Sequence, residues 1–151
     1  MKIAVFPGSF DPFTKGHEDL VTKALPLFDK IYIAVGINNT KTSFFPLDKR
    51  LAWIADIFQT NKVVEVVSYQ GLTVDFCQSV EAKFIIRGVR NSIDFQIEKD
   101  IAQANKQLAP DIETLFFSTS PQYAHLSSSI VRDLFLHNGD YSPYVSVILT
   151  K

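Results

Sequence analysis

Five short runs rich in β-branched and aromatic residues alternate with longer amphipathic stretches, and this alternation constrains the chain more than any other feature. The runs are "KIAVF", "KIYIAVGI", "KVVEVVSY", "KFIIRGV" and "ETLFFST". Helical spacing of apolar residues predicts helices over 15–29, 47–58, 72–82, 93–108 and 128–137. In the first of these, Pro26 is expected to kink or fray the last turn. Strands alternating with helices imply parallel pairing through right-handed crossovers, which places helices on both faces of the sheet. The expected fold is therefore α/β, a doubly wound, five-stranded parallel sheet of Rossmann-like type. At 151 residues, with no repeat, linker or low-complexity tract, a single domain is expected over 1–151.

Composition narrows the function classes. Hydrophobic residues make up 46% and charged residues 21%, values typical of a folded, water-soluble chain, and no apolar run is long enough for a membrane helix. The start "MKIAVFPGSF" reaches Pro7-Gly8 too early for a secretory signal and reads as a first strand, so a cytoplasmic location is expected. A net charge of −1 argues against broad non-specific binding to nucleic acid, so any anionic ligand must be met by local positive charge. The lone cysteine, Cys77, lies in "TVDFCQSVEA" and reads as a packed helix residue.

Ligands of open α/β sheets bind beyond the carboxyl ends of the strands. Strand one delivers Gly8-Ser9 and then His17, strand two delivers "NNTK" with Lys41, and strand four delivers Arg87 to Arg90. Strand five leads to a loop ending in Ser127, Ser128 and Ser129, whereas strand three contributes the neutral "SYQGLT". Three cations and a serine cluster at one edge of a nearly neutral chain point to a focused anion site.

Each motif has a plainer reading beside the functional one. Thr14 is placed to cap a helix, which would leave the amides of Lys15, Gly16 and His17 facing outward toward an anion, with His17 a neutral donor. The plainer reading is an ordinary capped surface helix. "RGVR" is expected to project Arg87 and Arg90 the same way from a strand end, as a bidentate phosphate grip, or else to be a solvated strand terminus. "HLSSSIVRDLF" has two serines more than an N-cap needs, so its hydroxyls and amides suit phosphate unless they are redundant caps. On "DFQIEKDIAQANKQL", Asp94, Glu98 and Lys99 read as a solvated helix face. There is no G-x-x-x-x-G-K-[ST] loop, no G-x-G-x-x-G after the first strand and no G-x-S-x-G elbow. His17, His125 and His137 lack the spacing of a protein-built zinc site, and no protein-held metal is expected.

"GSFDPFTKGH" resembles the signature of the nucleotidyltransferase superfamily, whose T/H-x-G-H motif reads "TKGH" here. Together with "RGVRNSIDFQIE" and "LSSSIVR", it makes the chain from about residue 2 to 140 similar to bacterial phosphopantetheine adenylyltransferases. The resemblance implies reversible transfer of an adenylyl group from ATP to 4'-phosphopantetheine, giving dephospho-coenzyme A and pyrophosphate by direct in-line attack, with Mg2+ and as a homohexamer. By motif match it implies that Ser9, Phe10, His17, Gly88, Val89, Arg90, Glu98 and the run Tyr123, Ala124, His125, Leu126, Ser127, Ser128 and Ser129 contact ATP. Ser9, Lys41, Thr73 and Arg87 match acceptor-binding positions, and His17, Lys41 and Arg90 are the candidates for stabilising the transition state. Ser9 stands where the family more often has Thr. The tail "HNGDYSPYVSVILTK" departs from the family pattern, and Phe44 and Phe45 are open to an interface or to the acceptor pocket. Rival readings are another transferase of the superfamily, such as a cytidylyltransferase or a nicotinate-mononucleotide adenylyltransferase, and a nucleotide-binding regulatory domain without transfer.

Overall fold

A computed structural model describes all residues 1–151. Strands β1 (Ile3–Gly8), β2 (Lys30–Gly36), β3 (Val64–Tyr69), β4 (Phe84–Val89) and β5 (Glu113–Ser118) alternate with helices α1 (Lys15–Ala24), α2 (Leu47–Ile57), α3 (Thr73–Ser79), α4 (Ser92–Leu108) and α5 (Ser128–Leu136). The strands form one sheet in the order β3-β2-β1-β4-β5, and every pairing is parallel. The two-residue side-chain period of the strands divides them between two cores. Ala4, Phe6, Ile31, Ile33, Val35 and Ile86 face Leu20, Val21, Ala24 and Ile54, from α1 and α2. Val5, Ala34 and Ile85 point the other way, toward Val74 and Cys77 of α3, Ala82, and Ala109 and Ile112 after α4. The sheet is thus doubly wound, and Cys77 is buried as expected.

Two helices are shorter than their apolar spacing suggests. The first stops at Ala24 and tightens into a 3-10 turn over Leu25–Leu27, because Pro26 has no N–H to continue the ladder. The third stops at Ser79, where Glu81 adopts a left-handed φ of 59° and the Ala82 N–H closes on the Cys77 carbonyl at 2.8 Å. The same stop follows α5: Asn138 has a φ of 56° and the Gly139 N–H reaches the Leu134 carbonyl at 2.7 Å. From Asp140 onward no helix forms.

The tail contributes Val145 and Leu149 to a third core with Phe45, Leu126 and Val131. Phe45 is fully buried there, and Phe44 packs against the same cluster. These two rings therefore build the seat of the tail, and neither lines the larger of the two cavities described below. No helix is long and apolar enough to cross a membrane.

Candidate active site

Strand order reverses between β1 and β4, so their carboxyl ends splay apart and open a crevice. Two cavities lie there, and both touch Pro7, Gly8, Ser9, Arg87 and Glu98. One, of about 320 Å3, runs along the starts of α1 and α5 and includes Phe10, Thr14, Gly16, His17, Gly88, Arg90, Asp94, Tyr123, Leu126, Ser127 and Ser128. The other, of about 500 Å3, runs along the ends of β2 and β3 and a face of α4, and includes Asn38, Asn39, Tyr69, Thr73, Ile101 and Asn105.

The loop after β1 is shaped by its aromatic rings. Phe10 takes a left-handed φ of 46°, which folds its buried ring back over Gly8. A Cβ on Gly8 would stand 2.8 Å from that ring, so only glycine lets the turn close. Gly88 is held to glycine for a similar reason, since a Cβ there would overlap the Leu20 side chain. The Phe10 and Phe13 rings each lie 5.1 Å from the His17 imidazole, centroid to centroid.

Thr14 caps α1 in a reciprocal box with His17. Its Oγ1 accepts the His17 N–H at 3.4 Å, and its own N–H donates to His17 Nδ1 at 2.9 Å. Since Nδ1 accepts, the neutral ring carries its proton on Nε2. Burial of the ring, then the Arg87 and Arg90 guanidiniums, push its pKa down to about 3. His17 is accordingly a neutral donor at physiological pH.

The rest of that helix end is narrower than its sequence suggests. The Lys15 N–H donates to the Tyr144 carbonyl at 2.8 Å and the His17 N–H is taken by Thr14, so Gly16 alone of the three keeps an uncommitted amide. The serine cluster is committed likewise. Ser127 Oγ caps α5 by accepting from the Ile130 N–H, Ser128 Oγ donates to the Pro12 carbonyl at 2.8 Å, and Ser129 Oγ accepts from Arg132 at 3.0 Å. What faces the cavity from α5 is its amide end, together with Ser127 and Ser128.

The two arginines of "RGVR" do not form one grip. An offset of three residues is odd against a strand's period of two, and each guanidinium has its own carboxylate. Arg87 donates through Nε and Nη2 to both Glu98 oxygens at 2.8 and 2.7 Å, and through Nη1 to the Pro7 carbonyl at 2.7 Å. Arg90 Nε donates to Asp94 at 2.9 Å and its Nη1 to the Leu126 carbonyl at 3.1 Å. The Arg90 hydrogen bond holds the Asp94 carboxyl below its ordinary range. Arg87 with Glu98 forms the wall between the cavities, and Arg90 belongs to the smaller one. Asp94 and Glu98 are therefore the carboxylate partners of the two arginines, not a solvated face.

Comparison with known proteins agrees with this architecture. The model of the cytidylyltransferase-like family matches residues 5–134. A phosphopantetheine adenylyltransferase from Cytophaga hutchinsonii is 50% identical over 144 residues, covering 95% of this chain and 96% of that one. One of the same name from Geotalea daltonii is 47% identical over 151 residues, covering 100% and 94%. The chain belongs to the phosphopantetheine adenylyltransferase family. It is thus a nucleotidyltransferase. Among solved structures, a Plasmodium falciparum nicotinic acid mononucleotide adenylyltransferase aligns with a TM-score of 0.68 at 14% identity, covering 96% of this chain and 90% of that one. A Francisella tularensis bifunctional NMN adenylyltransferase/ADP ribose pyrophosphatase aligns at 0.72 and 19% identity, covering 95% and 44%. Both share the fold.

Most residues that match the family's motifs gather in the crevice. Ser9, Phe10, His17, Gly88, Arg90, Glu98, Tyr123, Leu126, Ser127 and Ser128 line the smaller cavity. Ser9, Thr73, Arg87 and Glu98 line the larger one, where Thr73 Oγ1 meets the Tyr69 hydroxyl at 2.8 Å. Lys41 is exposed and lines neither; its neighbours Asn38 and Asn39 occupy the rim instead. Val89, Ala124, His125 and Ser129 also lie outside both linings.

Two residues escaped motif reading altogether. Buried Arg50 donates to the Ser9 carbonyl at 2.7 Å and to the Phe45 carbonyl at 3.0 Å. Asp11 accepts the Phe44 and Phe45 amides at 2.7 and 2.8 Å. Their partners are main-chain atoms, all but the Phe45 carbonyl 33 to 41 residues away, so no side-chain spacing marks them.

Proposed function

We propose that this family member transfers the adenylyl group of ATP to 4'-phosphopantetheine, releasing pyrophosphate and forming dephospho-coenzyme A. The observation that carries the reading is a pair of cavities sharing Ser9 and Arg87, since one substrate in each brings two phosphates together at that wall. The smaller cavity, with its helix ends and His17, suits the nucleotide. The larger, with amide, hydroxyl and aliphatic groups, suits the pantetheine arm.

An oxygen of the acceptor phosphate attacks the α-phosphorus in line. The new P–O bond forms as the bond to the bridging α–β oxygen breaks, and pyrophosphate leaves with that electron pair. No enzyme nucleophile takes part, so the protein's contribution is orientation and charge neutralisation. His17 Nε2–H donates to an α-phosphate oxygen, and Arg90, fixed by Asp94, meets the triphosphate. Arg87, fixed by Glu98, holds the acceptor phosphate. Lys41 reaches the acceptor only if the 38–41 turn swings inward. One phosphoanhydride replaces another, so the reaction runs in both directions.

Magnesium spreads the triphosphate charge when it is bound. No group of three His, Cys, Asp or Glu residues is placed to hold a metal, and the two cavity carboxylates are paired with arginines. These residues do not fit a protein-held Mg2+, which would enter on the nucleotide. A homohexamer and a cytoplasmic location belong to the same reading, in which the exposed Ile93, Phe95, Ile97, Ile101 and Leu108 of α4 are covered between copies.

The deciding assay is pyrophosphate release from ATP with phosphopantetheine, with nicotinate mononucleotide and with no acceptor. Release with phosphopantetheine alone is expected. Release with nicotinate mononucleotide instead would move the chain to the other branch of the superfamily, and release with none of them would leave a binding module.

A further inference from the structure

The segment after α5 has no regular secondary structure, yet it touches the starts of both α1 and α5, which border the smaller cavity. Tyr144 accepts the Lys15 N–H at the first residue of α1, and Ser146 Oγ donates to Glu18 in the same turn. Val145 and Leu149 are buried against Leu126 and Val131, on either side of the α5 start, and Tyr123 packs on the same cluster. Tyr123 and Leu126 also line the cavity. The segment closes on itself where the Leu149 N–H donates to the Tyr141 hydroxyl at 3.1 Å. Its end is pinned by Lys49 Nζ on Thr150 Oγ1 at 3.1 Å and by Lys151 Nζ 4.0 Å from the Phe44 ring centroid.

We propose that Tyr141 to Leu149 is a positioning strap for the nucleotide cavity, which sets the first turn of α1, and His17 with it, through the Tyr144 carbonyl on the Lys15 amide. The inference rests on the adenylyl-transfer reading of the site for its kinetic consequence but not for its geometry. Lys15 and His17 share one helical turn, and the Thr14 box carries any displacement of that turn into the imidazole. An irregular segment suits this task, because its unpaired carbonyls remain free to accept a neighbour's amide.

The test exploits the helix start. Proline is tolerated at the first helical position, and the extended backbone of Thr14 (φ −110°, ψ 170°) accommodates a following proline. Lys15→Pro therefore removes the N–H that Tyr144 holds without breaking α1, and Lys15→Ala controls for the side chain. The readouts are pyrophosphate release per folded molecule and the NMR titration of the His17 ring. Lys15→Ala is expected to stay within about 2-fold of the parent, while Lys15→Pro loses about 10-fold in kcat with KM for phosphopantetheine unchanged. Its His17 ring should also titrate at higher pH than in Lys15→Ala, as the ring becomes less buried. A role in stability alone would lower Tm and leave both readouts unmoved.

Identical kcat and identical titration in the two variants would overturn the proposal. If Lys15→Pro does not fold, Val145→Ala loosens the strap from its seat, with an expected loss of about 3-fold in kcat and an upward ring titration. Parent-like behaviour of Val145→Ala in both would then overturn it. If the parent itself transfers nothing to phosphopantetheine, the substrate reading fails, while the ring titration still decides the strap.

Discussion

The two cavities beside Ser9 are built from different kinds of structure. The smaller one is made of helix starts and a paired-charge frame: the Thr14–His17 box, the Ser127 cap, and Arg90 with Asp94. The larger one is made of strand ends and a helix face, with Asn38, Asn39, Tyr69, Thr73, Ile101 and Asn105 drawn from separate segments. A helix start is a local device, since the capping residue and the amides it leaves lie within one turn. It leaves a contiguous mark in the sequence. The neutral side chains that distinguish the larger cavity come from several elements and leave no contiguous mark.

Breaking the difference at its strongest point means removing His17. His17→Ala should lower kcat by about 100-fold to 1,000-fold, as expected when one well-aimed donor is lost. KM for phosphopantetheine should hold, because His17 lines only the smaller cavity. Steady-state kinetics with each substrate varied in turn would check this. Near-parent turnover would remove the histidine from the mechanism.

The wall should respond on both sides. Arg87→Ala deletes the group that lines both cavities and leaves the Glu98 carboxylate, 15% exposed, without its partner. KM for both substrates should rise, with a loss of about 10-fold to 100-fold in kcat/KM. An effect confined to one substrate would place the wall inside a single cavity.

Acid should separate the cavities by stability. His17 has a folded pKa of about 3 against an ordinary value of 6.5, so below pH 6.5 the unfolded chain takes up a proton that the folded chain refuses. Stability contributed by the neutral ring is complete above pH 6.5 and is lost as pH falls toward 3, by up to about 1.4 kcal/mol per pH unit. Urea unfolding between pH 7 and 4.5 measures the slope, which should flatten in His17→Gln. The smallest effect belongs to the larger cavity. Thr73→Val keeps the shape of the side chain but loses the bond to Tyr69, and should raise KM for phosphopantetheine about 3-fold while sparing ATP.

Much of the fold was legible because its signals are periodic. The strand runs and amphipathic helices, and the strand-end rule with them, locate the crevice without any motif. The departures lie where a hydrogen-bond partner intervenes, whether a distant main-chain atom or a nearby side chain. The capping pattern leaves the Lys15 amide open, but Tyr144, on the distant tail, takes it. The pattern leaves Ser128 and Ser129 as spare hydroxyls, but the Pro12 carbonyl and the Arg132 side chain use them. Phe44 and Phe45 were open to a pocket or an interface, and the tail needed them as its seat. Arg50 and Asp11 hold the Ser9 loop through carbonyls and amides, which no residue pattern announces.

In the proposed reaction this site positions two substrates and neutralises charge without forming a bond to either. The most direct test is the stereochemical course at the α-phosphorus, followed with ATP carrying a chiral α-phosphorothioate and phosphopantetheine as acceptor. A single in-line attack predicts inversion. Net retention would require a covalent adenylyl-enzyme and would contradict the account.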